Sequence, residues 1–472
     1  MKNINTKVVI VGSGPSGYSA SFRLADLGIE NVVVEKKSNL GGVCLNVGCI
    51  PSKFLLHVSK FLREFKEIKK KEIISGSIKI NIEEIRKEKN KIIQNISNNL
   101  KKMASIRNVQ IVHGYARFLN KNSIIVRNEE EKEVKINFEN AIIAVGSKPR
   151  KMSIIKNLRS ERIWYSDEAL SLKFIPKNML IIGGGIIGLE IGTIYSSLGT
   201  QVEIVEISEQ IVPNADMDII EQYIKQTKNI FSIKNKVKII SILENEKGIL
   251  VKIQYKNRIL ENQYEAILIC IGRKPNCDFK KMHLQDIGIL RKKEFIQTNA
   301  QTMQTNISNI YAIGDVSNQP MLAHKGSNQG KIVAEIISGK KYYFDPKTIP
   351  FIAYTDPEIA WIGFTEKEAK LKNINYRSAK FSWKASGRAI VSGYDGVTKL
   401  IFERNTKKII GGAIVGQNAG ELLGEIGIAI ENSVTSEDIA LSIHAHPTMY
   451  ESIGITAEIY EGIATDVLNR SI

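Results

Sequence analysis

One structural unit is written twice in this chain, and that repetition constrains the fold more than any other feature. Lys7-Val-Val-Ile-Val11 is a short apolar run that ends in Gly12-Ser-Gly14-Pro-Ser-Gly17, and a helical pattern follows through Leu27. A second apolar run, Val32–Val34, ends in Glu35. This reads as strand, glycine turn, helix, strand. The glycines permit a tight turn, close approach to a pyrophosphate and close helix packing. The helix amino terminus then faces the phosphates with unpaired N–H groups, and Glu35 is placed to accept a ribose hydroxyl. The unit recurs as Met179–Ile182, Gly183-Gly-Gly185-Ile-Ile-Gly188, a helix through Leu198 and a strand Val202–Val205 ending in Glu206. Gly12, Gly14, Gly17, Gly28 and Glu35 each have a counterpart at a constant offset of 171 residues. Two Rossmann-like dinucleotide-binding units in one α/β chain imply two nucleotide cofactors.

Between the first unit and its repeat lies Gly41-Gly-Val-Cys44-Leu-Asn-Val-Gly48-Cys49-Ile-Pro51-Ser-Lys53. A regular helix brings positions three and four apart onto one face, not five. A bond between Cys44 and Cys49 needs Cα atoms about 4.4–6.8 Å apart, so the backbone between them must bend. Gly48 and Pro51 permit that, and Gly41-Gly42 lets the backbone approach something bulky. Without a secretory signal, such a pair is more often a redox or metal site than a static disulfide. The segment reads as a working dithiol, which beside two nucleotide units suggests a flavin relaying electrons between a nicotinamide and a disulfide.

The rest of the composition excludes several classes. Four cysteines are too few for a disulfide scaffold, and Cys270 and Cys277 lack zinc spacing. The longest apolar run expected is near 179–189, shorter than the roughly 18 residues of a membrane span and ended by Glu190. The amino terminus runs straight into a strand, leaving no room for a targeting peptide, so a soluble, cytoplasmic protein is expected. The formal net charge is +17, but the lysines are diluted through an Ile-, Lys- and Asn-rich background rather than gathered with aromatics. That favours compositional drift over a nucleic-acid groove, while leaving a surface attractive to anionic partners.

Four segments are expected: 1–150, 151–276, 277–349 and 350–472. Within the first, 60–105 carries Ile82, Ile85, Ile92, Ile96, Leu100 and Met103 near helical spacing, and reads as a surface helix with a solvated basic face. Strand-like runs follow at 109–113, 123–127 and 134–145, the last closing at Ala144-Val-Gly146. Ala266–Ile271 gives way to Gly272-Arg-Lys-Pro-Asn276, and Ile310–Ile313 ends in Gly314-Asp315, where the plain alternative for the acid is a helix cap. Past Pro350 the pattern turns to shorter strands (359–364, 376–382, 397–403, 409–415) and two helices, without a glycine fingerprint. Near the end, His446 of His444-Ala-His446-Pro-Thr-Met-Tyr-Glu451 precedes a proline and so sits on a loop. Glu451 is spaced to orient its imidazole through Nδ1. A structural pair, or a metal pair lacking further ligands, is the alternative reading of His444 and His446. His57, His113 and His283 stand alone and read as ordinary surface or core histidines.

The dithiol stretch, both fingerprints, Gly272–Asn276, Ala312–Asp315, Met321-Leu-Ala323-His-Lys325 and His444–Glu451 together resemble the FAD-dependent disulfide-reductase flavoenzymes over essentially the whole chain. Within them, His-Ala-His-Pro-Thr and Met-Leu-Ala-His-Lys are similar to the branch that oxidises dihydrolipoamide. Val43 and Val145 depart from the family's more usual threonines. The resemblance implies that the first unit, with Gly146, Asp315 and Ala323, holds FAD, and that the second, with Gly272, binds NAD. It implies that the α+β carboxy-terminal domain forms a homodimer. It makes Cys44 the thiol that exchanges with substrate, Cys49 the thiolate against the flavin, and Lys53–Glu190 an ion pair near the flavin. His446 becomes the acid/base, supplied by the partner subunit and oriented by Glu451. The partners implied are lipoyl-bearing transacylase subunits of 2-oxoacid dehydrogenase complexes. A glutathione-type reductase using NADPH is the alternative, but Glu206, followed by Ile207-Ser208, would repel a 2′-phosphate.

Overall fold

The computed structural model describes residues 2–155 and 160–468. The first glycine unit builds a sheet whose strands run, edge to edge, Gln110–His113, Asn31–Glu35, Lys2–Val11, Glu133–Ile143, Ser123–Arg127 and Tyr115–Asn120. Ile310–Ala312 returns from far along the chain to pair in parallel with the end of Glu133–Ile143 (Ile310↔Ala141, Ala312↔Ile143). Val8–Ile10 are fully buried, as a strand covered on both faces must be. Strand Lys2–Val11 is longer than its apolar half, because Lys2–Thr6 pair with Val134–Phe138.

The repeat builds a second, parallel sheet in the order Ser232–Lys234, Gln201–Val205, Asn178–Ile182, Ala266–Ile269, Ile163–Trp164. A separate antiparallel meander, Lys238–Asn245, Gly248–Tyr255 and Arg258–Tyr264, precedes its fourth strand. Two short crossing strands, Ser147–Pro149 and Arg273–Pro275, pair antiparallel and tie the two units together.

The carboxy-terminal part is a five-stranded antiparallel sheet in the order Phe351–Ala353, Glu358–Gly363, Ile409–Gly416, Val397–Glu403, Tyr376–Ser382. It is locked to the repeat by Lys399. Its side chain is fully buried, and its ammonium lies 2.9 Å from Asp216, 3.0 Å from Asp218 and 3.1 Å from Glu366. A buried cation needs paired carboxylates to offset lost hydration, and here the acids come mainly from the start of helix Met217–Thr227 in the neighbouring unit.

Four expectations need correction. Segment 60–105 is not one helix but the end of Cys49–Lys70 and then Ile82–Ile106. Nor is its basic face wholly solvated: Lys89 is buried and donates to the Leu170 carbonyl (2.7 Å), satisfying the open end of helix Ser166–Ser171. Among the described residues the carboxy-terminal part holds five helices, not two, because Glu366–Leu371, Gly387–Ser392 and Ser436–Leu441 are about a turn and a half long, too short to show periodicity. Against the expectation that no stretch approaches a membrane span, residues 42–70 have the length and hydropathy of one among the described residues. The stretch is broken at Gly48, and Lys53 and Arg63 point from it onto acids of the other two units.

Candidate active site

The dithiol forms where the second helix of the chain is interrupted. Gly41 N–H donates to the Ser13 carbonyl at 3.0 Å, and the short helix Gly42–Val47 begins against the first glycine turn. A Cβ on Gly42 would lie 2.7 Å from Gly14 Cα, so what the Gly-Gly pair approaches is the backbone of that turn. The helix stops at Gly48 (φ −137°, ψ −108°) and restarts at Cys49. A Cβ at Gly48 would meet Val43 O at 3.0 Å and Cys44 Cα at 3.3 Å, so a side chain at the step that folds the cysteines together would press on the turn before it.

Both cysteines are thiols in this structure, and they share their protons unequally. The hydrogen bond Cys44 donates to Cys49 raises its own pKa, and burial pushes it further up. The same bond lowers Cys49 to about 7, against burial, with help from the charge of Lys53. Lys53 lies four residues after Cys49, on the same face of helix Cys49–Lys70. Its ammonium bridges both oxygens of Glu190, at 2.9 and 3.0 Å. Burial works against its charge, but Glu190 outweighs it and leaves Lys53 above its ordinary pKa.

Glu190 is buried on helix Ile186–Ser197, so this ion pair joins the dithiol helix to the repeat unit. The third unit completes it. Tyr354 N–H donates to Glu190 Oε1 at 3.0 Å, and the Tyr354 ring lies 4.5 Å from the Lys53 nitrogen. Sequence reasoning missed Tyr354: it does its work through a backbone N–H and a ring face, neither of which leaves a motif.

The two glycine turns match in their backbone hydrogen bonds. Glu35 accepts from Ser13 N and Lys37 N, each at 3.0 Å, and from Ser13 Oγ at 2.7 Å. Glu206 accepts from Gly184 N at 2.7 Å and Ser208 N at 2.9 Å, the same positions one repeat on. At Gly12 and Gly183 (φ +111° and +113°) a Cβ would strike the carbonyl of the neighbouring strand, Ala144 or Cys270, at 2.4 Å. At Gly17 and Gly188 it would strike the turn itself. Gly14 and Gly185 differ: beyond each the nearest protein atom is 3.9 Å or more away. That open space in front of a helix amino terminus fits a pyrophosphate, so the residues present suit FAD and NAD.

Gly146 and Gly272, both with positive φ and open space around them, begin the two crossing strands. Asp315 sits in the turn Gly314–Val316 and accepts from Ser147 Oγ at 2.5 Å, so it is a link to the crossing strands rather than a helix cap. Ala323 opens helix Ala323–Ile337, whose first N–H groups have no side-chain cap.

His446 lies at the other end of the chain. Its Nδ1 is 2.8 Å from Glu451 Oε1, and Thr448 N–H holds the second oxygen of Glu451 at 2.8 Å. The imidazole is otherwise open, with 79% of its side chain exposed. His444 faces a different acid, Glu425. Among the described residues, no hydrogen bond or ion pair joins His446 or Glu451 to Cys44, Cys49 or Lys53 of the same chain.

Two dinucleotide turns, with a dithiol folded over the first and an ion pair tying it to the second, define a two-nucleotide redox enzyme that works through sulfur. The chain belongs to the pyridine nucleotide-disulphide oxidoreductases: residues 6–330 match that family, and residues 349–457 match its dimerisation domain. It is 52% identical to the dihydrolipoyl dehydrogenase of Vibrio parahaemolyticus over 474 residues, covering 99% of this chain and 98% of that one. It is 51% identical to that of Buchnera aphidicola subsp. Acyrthosiphon pisum, with the same coverage. Its fold matches the crystal structure of LpdA from Mycobacterium tuberculosis with a TM-score of 0.87, over 96% of this chain and 99% of that one at 22% identity.

Proposed function

We propose that the chain oxidises protein-bound dihydrolipoamide to lipoamide through a Cys44–Cys49 disulfide and passes the electrons by way of FAD to NAD⁺. The observation that carries this reading is the unequal thiol pair beside Lys53, in a chain half identical over its full length to dihydrolipoyl dehydrogenases. FAD would be held by Gly12, Gly14, Gly17, Glu35, Gly146, Asp315, Ala323 and Lys53. NAD would be held by Gly183, Gly185, Gly188, Glu206 and Gly272, with Glu190 between the two sites. When bound, these groups supply the two-electron acceptor chain from thiol to nicotinamide.

The residues themselves handle sulfur and protons. His446, held by Glu451, takes a proton from one substrate thiol, since only a thiolate attacks a disulfide. That thiolate attacks the Cys44 sulfur, breaking the Cys44–Cys49 bond and forming a mixed disulfide. Cys49 leaves as a thiolate, and its lowered pKa makes it the better leaving group. His446 passes its proton to Cys44 as the second substrate thiol displaces it and closes the lipoamide ring, and the proton of that second thiol is left on His446. One disulfide is formed and one broken, so the enzyme now holds the electron pair on its two sulfurs. Lys53 stabilises Cys49 as a thiolate until the pair is passed on.

By this reading the enzyme works in the cytoplasm as a homodimer and serves lipoyl-bearing transacylase subunits of 2-oxoacid dehydrogenase complexes. Paired assays test it: dihydrolipoamide with NAD⁺ should turn over, and glutathione disulfide with NADPH should not. Equal or greater activity in the second assay would sink the reading. Glu206 sharpens the test. Each of its oxygens keeps an acceptor position free for a ribose hydroxyl, and hydrogen bonds to a charged acceptor contribute about 1.5–3 kcal/mol. Glu206→Ala should therefore cut kcat/KM for NAD⁺ about ten- to a hundredfold, by the factor of ten per 1.4 kcal/mol. NADP⁺ use should fall less or improve.

A further inference from the structure

The chemistry above has no task for the first histidine of His444-Ala-His446, yet that histidine is the more tightly held of the two. Only 12% of its side chain is exposed, against 79% for His446. Its ring lies between two helices. Nε2 is 2.8 Å from Glu425 Oε1 on helix Ala419–Glu431, and Nδ1 is 2.9 Å from the Ser442 carbonyl. A carbonyl oxygen only accepts, so Nδ1 carries a proton. A carboxylate also only accepts, so Nε2 carries one too, and a ring that donates from both nitrogens is an imidazolium.

The other wall is helix Glu451–Glu461. A Cβ on Gly454 would lie 2.7 Å from His444 Nδ1 and 2.9 Å from Cε1, so the ring is seated against bare backbone. Glu451, Gly454 and Glu458 share one face of that helix by their spacing. The same face therefore grips His446 through Glu451 and seats His444 at Gly454. The charged groups facing His444 are Glu425 from one helix and Glu451 and Glu458 from the other. All three are acids. The Glu425 hydrogen bond raises the His444 pKa, burial opposes it, and the charge of Glu425 and the Ser442 carbonyl add to the rise.

We propose that His444 is a positioning residue: clamped as a doubly donating imidazolium between the two helices, it fixes the segment that presents His446 to the dithiol. This rests on the reading of His446 as the acid/base. A rigid segment matters because misplacing a reacting group by about 1 Å can cost on the order of a hundredfold in rate. When His444 loses its second proton it can no longer donate from both nitrogens, one wall lets go, and His446 loses its fixed pose. Activity with dihydrolipoamide should then fall on the alkaline side as His444 titrates.

The test uses the full-length holoenzyme with isotope-labelled histidine. Six histidines are few enough to assign by single substitution. In the wild type, the ring signals of His444 should be those of an imidazolium at neutral pH, titrating above the ordinary histidine value. Glu425→Gln keeps an acceptor and removes the charge; it should lower that titration by about one pH unit or more. It should also lower kcat with dihydrolipoamide about tenfold or more with KM little changed, and move the alkaline limb of kcat to lower pH. An NADH diaphorase assay, which bypasses the thiols, should not change. A neutral His444 in the wild type overturns the proposal, and so does a Glu425→Gln enzyme with the wild-type kcat–pH profile. A fully active His446→Gln enzyme would instead overturn the reading of His446, leaving the charge state of His444 as measured.

Discussion

Cys44→Ser and Cys49→Ser should each lose dihydrolipoamide turnover by on the order of 10⁴-fold or more, as removal of a nucleophile does, and yet the two enzymes should not look alike. In Cys44→Ser the remaining sulfur is Cys49, which Lys53 still attracts after the hydrogen bond from Cys44 is gone. Losing that bond removes the largest cause of its lowered pKa and leaves burial opposed by the charge of Lys53, so Cys49 should titrate above about 7. With FAD bound, this variant should show a thiolate-to-flavin absorbance band that grows as pH rises through the new pKa. In Cys49→Ser the remaining sulfur is Cys44, which burial holds protonated. Its band should be absent across the same pH range. Bands of equal strength and equal pH dependence in the two variants would show that the thiols are interchangeable and that their roles are wrongly divided. Both variants should keep NADH diaphorase activity, which separates loss of the dithiol from loss of the fold.

Much of this site could be read from the chain because its parts are local. The two glycine turns, from Gly12 to Glu35 and from Gly183 to Glu206, each lie within about two dozen residues, and their repetition supplies its own check. The need for a bend between Cys44 and Cys49 follows from their spacing alone. The bend is found at Gly48, where a Cβ would crowd Val43 O and Cys44 Cα. What periodicity could not show is everything that depends on distant pairing. Lys53 and Glu190 are 137 residues apart, and only the likeness to a family put them together. Tyr354 closes that ion pair with its backbone, which no pattern of side chains records. Lys89 looked like one more lysine on a basic helix. It is buried because the carbonyls at the end of helix Ser166–Ser171 need a donor there. Crossing strands of three residues, such as Ser147–Pro149 and Arg273–Pro275, are too short for an alternating pattern, yet they set Gly146 and Gly272 at the two ends of one antiparallel ribbon and tie Ser147 to Asp315. His444 was visible as a motif, but its two acceptors come from a helix earlier in the chain and from its own backbone.

The second large effect concerns where His446 acts. Among the described residues of one chain no hydrogen bond or ion pair ties it to the dithiol, and its imidazole stands open to solvent on a domain that matches the family's dimerisation domain. Apolar side chains on that domain also stand open: Ile443 is fully exposed, and Leu441, Tyr450 and Ile428 are 44–70% exposed. Exposed apolar side chains of that kind are covered in the working protein, and a second copy covering them would bring each His446 to the other subunit's dithiol. A two-fold dimer then holds two composite sites, each with cysteines from one chain and a histidine from the other. Cys44→Ser and His446→Gln homodimers should each be nearly inactive with dihydrolipoamide, the latter by the 10²–10⁴-fold that a lost general base costs. Mixing them under conditions that exchange subunits should give heterodimers in which one site carries both lesions and the other carries neither. Activity should return to about half that of the wild type per heterodimer, because one of the two symmetric sites is intact. NADH diaphorase activity should stay level throughout, since it uses neither residue. Heterodimers that stay dead, or an enforced monomer that keeps full dihydrolipoamide activity, would show that His446 does not serve the partner's dithiol, and its role would have to be assigned to a base within the same chain.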